Sequence, residues 1–152
     1  MTDRIIAVLK RAIYKMRFKG ISLGLNSHII DDCYLPANTI IGSNFFISNV
    51  NISVPCKIDD NCTISNLQIG AYSYIAKGCK IKNVSIGKFC SIGPEVYTGF
   101  GLHPTNLLST SPVFYSNQKQ CGMCLTENTL FEESPTTTIG NDVWIGARVI
   151  IR

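Results

Sequence analysis

Two histidines and seven cysteines are the side chains of this chain that could carry out proton transfer, metal binding or thiol chemistry. His103 lies between Gly101 and Pro104 in the run TGFGLHPTNLLSTSPVFYS, and His28 is the other histidine. A neutral imidazole accepts a proton near neutral pH, which makes histidine the most frequent general base of enzymes. His103 is therefore a candidate base, the alternative being an ordinary surface histidine, and His28 is expected to be structural or exposed.

The cysteines are odd in number and have no spacing typical of a disulfide framework, so we expect free thiols in a reducing, cytoplasmic compartment. Five of them are expected to be small core residues, namely Cys33, Cys56, Cys62, Cys79 and Cys90. Cys121 and Cys124 form an isolated CxxC pair whose role the sequence leaves open. A zinc site needs two more ligands, and neither histidine is near in sequence, so no metal is expected.

The elements that position these side chains are predicted by an internal repeat. Large apolar residues recur with steps of 5, 6 and 6 residues, which gives a period of 17, at Ile30, Leu35, Ile41, Ile47, Ile52, Ile58, Ile64, Ile69, Ile75, Ile81, Ile86 and Ile92. Such a period is typical of a triangular solenoid in which three short strands form each coil. The sequence therefore predicts an all-β, parallel β-helix with one large side chain pointing inward from each face.

One long insertion interrupts this repeat. The pattern stops after Ile92 and resumes at Ile139, Ile145 and Ile151, whose phase places Ile139 over Ile86 and Ile145 over Ile92. Residues at about 98–138 are thus predicted to form a loop inserted at one corner. Ordering so long a loop costs conformational entropy, so we expect it to carry the functional site, and His103 lies in it.

Residues 1–20 have a different character. Apolar residues between Asp3 and Lys19 recur at three- and four-residue spacings, and six cations accompany a single acid, which predicts an amphipathic helix that ends at Gly20. This helix either packs on the body or a subunit interface, or rests on an anionic membrane. The rest of the chain is near neutral, so nucleic acid is not an expected partner, and no apolar stretch is long enough for a transmembrane segment.

The order of motifs resembles a known family. Hexapeptide repeats are followed by IGKFCSIGPEV, the histidine-bearing loop with STSPVFY, and TTIGNDVWIGARVII. This combination, over about residues 30–152, is similar to the xenobiotic acetyltransferase group of left-handed β-helix acyltransferases. The group includes chloramphenicol and streptogramin acetyltransferases and many sugar or polysaccharide O-acetyltransferases.

The resemblance implies a homotrimer of left-handed coils that uses acetyl-CoA as cosubstrate, with active sites in the clefts between subunits. The group's catalytic histidine maps onto His103, and the tryptophan of its NDVWIG motif, which lies along coenzyme A, maps onto Trp144. Gly146 and Ala147 are expected to let the cosubstrate approach the backbone closely. A thioester is already activated, so the reaction needs chiefly a proton acceptor for the attacking group, and His103 is expected to supply it.

The acceptor stays open at this stage. A sugar, polysaccharide or antibiotic hydroxyl is expected, and Tyr97, Phe100, Phe114 and Tyr115 suggest an apolar wall beside it. A sugar N-acyltransferase differs only in the acceptor. The sequence ends at Arg152, whereas members of the group continue through further coils, so the chain is expected to be truncated. The third alternative is therefore a non-catalytic β-helix. A carbonic anhydrase of this scaffold is excluded because it requires three histidines.

Overall fold

The computed structural model describes residues 18–30, 32–52 and 56–152. The described residues form thirteen short β-strands and one turn of 3₁₀ helix. In chain order these are β1 (Ser22–Leu23), β2 (His28–Ile30), β3 (Ile40–Ile41), β4 (Phe46–Ile52), β5 (Lys57–Ile58), β6 (Thr63–Ile69), β7 (Tyr74–Ile75), β8 (Lys80–Ile86), β9 (Ser91–Ile92), β10 (Tyr97–Thr98), the 3₁₀ turn (Pro112–Phe114), β11 (Thr137–Ile139), β12 (Trp144–Ile145) and β13 (Ile150–Ile151).

The strands stack in parallel as a β-solenoid of about four turns, which confirms the all-β part of the prediction. One sheet has the order β1-β3-β5-β7-β9-β12, and the other has the order β13-β10-β8-β6-β4-β2 with β11 also paired to β8. Consecutive strands of one sheet are separated in sequence by a strand of the other sheet. The chain therefore winds around a common core instead of folding back in hairpins.

The repeated isoleucines form that core. Ile47 pairs in register with Ile64, and Ile64 with Ile81, and all three side chains are at most 2% exposed. Alternation along a strand directs every second side chain to one face, so stacking in register places like beside like. β-Branched isoleucine suits this packed, pleated surface.

The first coil departs from the predicted columns. Ile29, not Ile30, pairs with Ile47, and Ile29 is 7% exposed whereas Ile30 is 44% exposed. Ile30 pairs with Ser48, and Tyr34 pairs with Asn51. The segment from Ile30 to Tyr34 is therefore one residue longer than the segment of the next coil from Ser48 to Asn51. The placement of Ile30 in the inward column was wrong because a one-residue shift moves a side chain to the opposite face of a strand.

This register predicts different effects for two neighbouring truncations. Ile29→Ala is expected to lower the free energy of unfolding by about 2 kcal/mol or more, because it opens a cavity in the core. Ile30→Ala is expected to change it by about 0.5 kcal/mol or less, because that side chain already contacts solvent. Chemical denaturation of both variants measures the difference, and a larger loss for Ile30→Ala would contradict the register.

Small residues and thiols complete the corners. A Cβ added to Gly70 would lie 2.7 Å from the carbonyl carbon of Gly87, so adjacent coils meet there through their backbones. The five cysteines predicted to be core residues are buried, and Cys79 donates from its Sγ to the carbonyl oxygen of Gly93 in the next coil at 3.2 Å. Burial raises the pKa of the Cys56 thiol, which favours the neutral form. These thiols are packing groups.

The long insertion divides one turn of the solenoid. The first half of β8 pairs with β10, the second half pairs with β11, and the chain between β10 and β11 leaves the solenoid. Two compact units result: the solenoid unit, formed by the described residues up to Gly99 with 136–151, and the loop unit, formed by Phe100–Pro135 with Arg152. Each unit has its own internal contacts.

The predicted N-terminal helix over residues 1–20 falls on residues 1–17, which lie outside the described residues, and on residues 18–20, which form a bend and a turn. In the described part of the chain, no helix has the length and apolar character needed to cross a lipid bilayer.

Candidate active site

The loop unit is organised around the 3₁₀ turn. Proline suits the first position of a helical turn because its φ is already fixed there, and Pro112 occupies that position. Backbone N–H groups of Tyr115 and Ser116 both donate to the carbonyl of Pro112. Leu130 in turn donates to the carbonyl of Tyr115 at 2.7 Å, so Tyr115 is held from both sides in the middle of the unit.

His103 is fixed in one tautomer by this unit. Its side chain is exposed, and its Nδ1 lies 2.9 Å from the carbonyl oxygen of Thr110. A carbonyl oxygen only accepts hydrogen bonds, so the ring hydrogen of neutral His103 is on Nδ1. Nε2 consequently carries the lone pair, which is the state that a general base requires.

A buried tyrosine lies behind the imidazole. The Tyr115 hydroxyl is 3.0 Å from Nδ1 of His103 and donates to Oε1 of Glu133 at 2.9 Å. Because the hydroxyl hydrogen points to Glu133, the Tyr115 oxygen can accept from the same Nδ1–H that reaches Thr110. The two rings meet edge to face with centroids 6.5 Å apart. Tyr115 therefore restrains both the tautomer and the plane of the imidazole.

Glu133 is held in place by two further interactions. Gln120 donates from Nε2 to Oε2 of Glu133 at 2.7 Å, and the backbone N–H of Leu102 donates to the carbonyl of Glu133 at 2.7 Å. The second bond aligns the segment that precedes His103 with the segment that carries Glu133. The unit thus builds a chain of hydrogen bonds from Gln120 through Glu133 and Tyr115 to His103.

The hydroxyl of Tyr115 stays protonated at any physiological pH. Burial, together with the hydrogen bond to the Glu133 carboxylate and its negative charge, raises the pKa of Tyr115 to about 12. A tyrosinate beside a carboxylate would be repelled, so the neutral phenol is the stable form. The link between Glu133 and His103 is therefore present throughout the pH range in which an imidazole titrates.

Sequence reasoning missed the roles of Tyr115 and Glu133. Tyr115 was expected in an apolar wall beside the acceptor, and the structure shows instead a buried side chain whose hydroxyl is the link to His103. Glu133 follows His103 by thirty residues in a segment without periodicity, and the two segments are joined by the Leu102 to Glu133 backbone hydrogen bond and by the Tyr115 hydroxyl. No local sequence signal contains that pairing.

The predicted cosubstrate residues lie in the solenoid unit. Trp144 begins β12, pairs with Ser91, and is 81% exposed. Gly146 and Ala147 follow that strand, and a Cβ added to Gly146 would meet no other atom within 4 Å. The three residues thus lie at and directly after β12. His103 belongs to the loop unit.

The remaining candidate groups have separate surroundings. His28 is exposed at the start of β2. Cys121 is exposed and Cys124 is half-buried, and both are free thiols. Within residues 18–30, 32–52 and 56–152, no three or more His, Cys, Asp or Glu side chains are arranged so that they could hold a metal ion.

Comparison of the sequence with the profiles of known protein families and with curated proteins finds no match.

Proposed function

We propose that this protein is an acetyl-CoA-dependent acetyltransferase that moves an acetyl group to a sugar hydroxyl, with His103 as the general base. The observation that carries the proposal is the arrangement at His103: Nδ1 is engaged by Thr110 and Tyr115, and Nε2 has the free lone pair on an exposed ring. The resemblance of the motif order to the xenobiotic acetyltransferase group supports the same assignment.

Acetyl transfer from a thioester requires chiefly a general base that is positioned to accept the proton of the acceptor hydroxyl. As the acceptor oxygen attacks the thioester carbonyl, its proton passes to Nε2 of His103, and the bond from the carbonyl carbon to sulfur breaks when the tetrahedral adduct collapses. His103 then returns the proton to the departing thiolate. The carbonyl of Thr110 and the oxygen of Tyr115 stabilise the imidazolium that exists between the two steps, because Nδ1–H donates to both.

Trp144, Gly146 and Ala147 are proposed to bind the pantetheine arm of the cosubstrate. An exposed indole offers a flat apolar face to this arm. The cosubstrate supplies the activated acetyl group. These residues would orient it, and no covalent acetyl-enzyme is required.

The finer architecture belongs to the same proposal. We propose left-handed, triangular coils of 17 residues that assemble as a homotrimer in the cytoplasm, with the active sites in the clefts between subunits. The in-register stacking of Ile47, Ile64 and Ile81 supports the coil length.

The test is release of coenzyme A from acetyl-CoA in the presence of separate acceptors. The panel comprises neutral monosaccharides, neutral oligosaccharides, an amino sugar and chloramphenicol, and calorimetry measures acetyl-CoA binding in parallel. We expect release that depends on a neutral sugar. Acetyl transfer to the amino sugar alone would make the protein an N-acyltransferase, and neither binding nor turnover would contradict the proposal.

Removal of the Tyr115 hydroxyl is expected to slow the reaction without weakening substrate binding. In Tyr115→Phe, Nδ1 of His103 keeps Thr110 but loses its second acceptor, and a hydrogen bond to a charged group such as the imidazolium contributes about 1.5 kcal/mol. We expect kcat to fall about tenfold while the KM for acetyl-CoA stays unchanged. Steady-state kinetics check this split.

Tyr74→Phe is the matched control, because Tyr74 is exposed on β7 of the solenoid unit. It should leave both constants unchanged. Equal kcat values for Tyr115→Phe and the unmodified protein would show that Tyr115 is not a positioning residue.

A further inference from the structure

One face of the solenoid unit differs from the others in its side chains. Outward residues from successive coils form two rows in which every member is neutral and polar: one row is Asn49, Asn66, Asn83 and Thr136, and the other is Asn51, Gln68, Ser85 and Thr138. The outward row of the first sheet instead mixes Lys57, Tyr74, Ser91 and Trp144. The uniform face is hereafter called the amide face.

The asparagines of the first row have a structural role at the corner of each coil, but this role does not use all of their hydrogen-bonding groups. Asn49 and Asn66 adopt a left-handed backbone at their corner, with φ of 52° in each, and asparagine tolerates that conformation. Asn49 donates to the side-chain oxygen of Asn66 at 2.9 Å, and Asn66 donates to that of Asn83 at 2.7 Å. An amide has two N–H donors and two acceptor lone pairs, so the ladder occupies only part of the hydrogen-bonding capacity of Asn49 and Asn66.

The second row has no comparable structural role. Asn51 and Gln68 are exposed near the ends of β4 and β6, and neither side chain makes a hydrogen bond to another described residue. Asparagine is depleted from strands, so β-propensity does not account for Asn51. The amides therefore present donors and acceptors outward along the strands.

The two rows line a groove. Its volume is about 510 Å³, its floor includes the buried Leu67 and Val84, and its walls are the amides of Asn49, Asn51, Asn66, Gln68 and Asn83 with Ser85 and Thr136. None of the lining residues carries a charge, and the neighbouring Lys82 is not among them. A groove of paired donors and acceptors without charge matches vicinal hydroxyl groups, and it offers no cation to neutralise a phosphate or a carboxylate.

We propose that the amide face binds a neutral saccharide chain, which is the acceptor of the reaction. This inference rests on the proposed acetyl transfer to a sugar hydroxyl. It narrows the acceptor to an extended, uncharged glycan that lies across several coils. Single amide-to-hydroxyl hydrogen bonds are weak, so affinity is expected to rise with the number of sugar units.

The probes are oligosaccharides of glucose, of galactose and of N-acetylglucosamine, with polygalacturonate oligosaccharides as the acidic comparison. Binding is measured by calorimetry on the full chain. We expect at least one neutral oligosaccharide to bind and the acidic one not to bind. Gln68→Leu keeps the bulk of the side chain but removes its hydrogen bonds, and it should weaken binding about tenfold.

Thr63→Ala is the matched control, because Thr63 is exposed on the same strand as Gln68 but does not line the groove. It should leave the affinity unchanged. The inference is overturned if no neutral oligosaccharide binds, if the acidic one binds instead, or if both variants weaken binding equally. It is also overturned if Gln68→Leu changes the oligomeric mass, because the face would then be a subunit interface.

The result of the oligosaccharide-binding experiment can be distinguished from the result of the acetyl-transfer experiment. Oligosaccharide binding that depends on Gln68, without acetyl transfer to any acceptor, would support the groove and contradict the transferase. Transfer to monosaccharides without any oligosaccharide binding would support the transferase and overturn the groove.

Discussion

Replacement of His103 by alanine is expected to lower kcat/KM for acetyl transfer about 10²- to 10⁴-fold. The variant loses the Nε2 lone pair that accepts the acceptor proton, and no other titratable group contacts Nδ1 except the hydroxyl of Tyr115 among the described residues. With burial and Glu133 raising its pKa to about 12, Tyr115 is too weak an acid to exchange protons at neutral pH. Coenzyme A release with a saturating sugar acceptor measures the loss.

His28→Ala is the control for removing a histidine from this chain. His28 is exposed on β2 in the solenoid unit and should be replaceable without effect on turnover. Circular dichroism of His103→Ala should match that of the unmodified protein, because the side chain is exposed. A His103→Ala protein with undiminished turnover would remove His103 from the mechanism.

The second large effect concerns stability. Ile64→Ala is expected to lower the free energy of unfolding by about 2 to 5 kcal/mol. Ile64 is fully buried near the start of β6, between Ile47 and Ile81, so truncation leaves a cavity that coils on both sides must share. In a stack of coils that contact mainly their neighbours, one weakened coil also weakens the interfaces above and below it. Urea unfolding followed by circular dichroism measures the change.

Ile40→Ala provides the matched comparison because Ile40 is 48% exposed on β3. This substitution should lower the free energy of unfolding by about 1 kcal/mol or less. If the two substitutions destabilise the protein equally, the inward column through Ile64 is not the core of the fold.

The solenoid could be predicted from the sequence because its information is local and repeated. Each inward isoleucine is followed five or six residues later by another, and in-register stacking turns that spacing into columns, as at Ile58 and Ile75. The same reasoning found the buried cysteines. It failed at Ile30, where one additional residue changed the register of a single coil.

The arrangement at His103 could be predicted only in part. The histidine itself stands out through its position in the insertion, but its partners depend on how a non-repetitive segment folds. Thr110, Tyr115 and Glu133 meet through a 3₁₀ turn and a few backbone hydrogen bonds that leave no periodic signal. The amide face was also not predicted, because the repeat was identified from its inward residues and the structure shows which outward residues line a groove.

The most direct test of the account is the fate of the acetyl group. Isotopically labelled acetyl-CoA is incubated with a neutral oligosaccharide and either the unmodified protein or His103→Ala, and the saccharide is analysed by mass spectrometry. If His103 is the general base of acetyl transfer to a sugar, we expect one labelled ester on a sugar hydroxyl with the unmodified protein and none above background with the variant. Label on the saccharide in equal amounts with both proteins, or none with either, would contradict it.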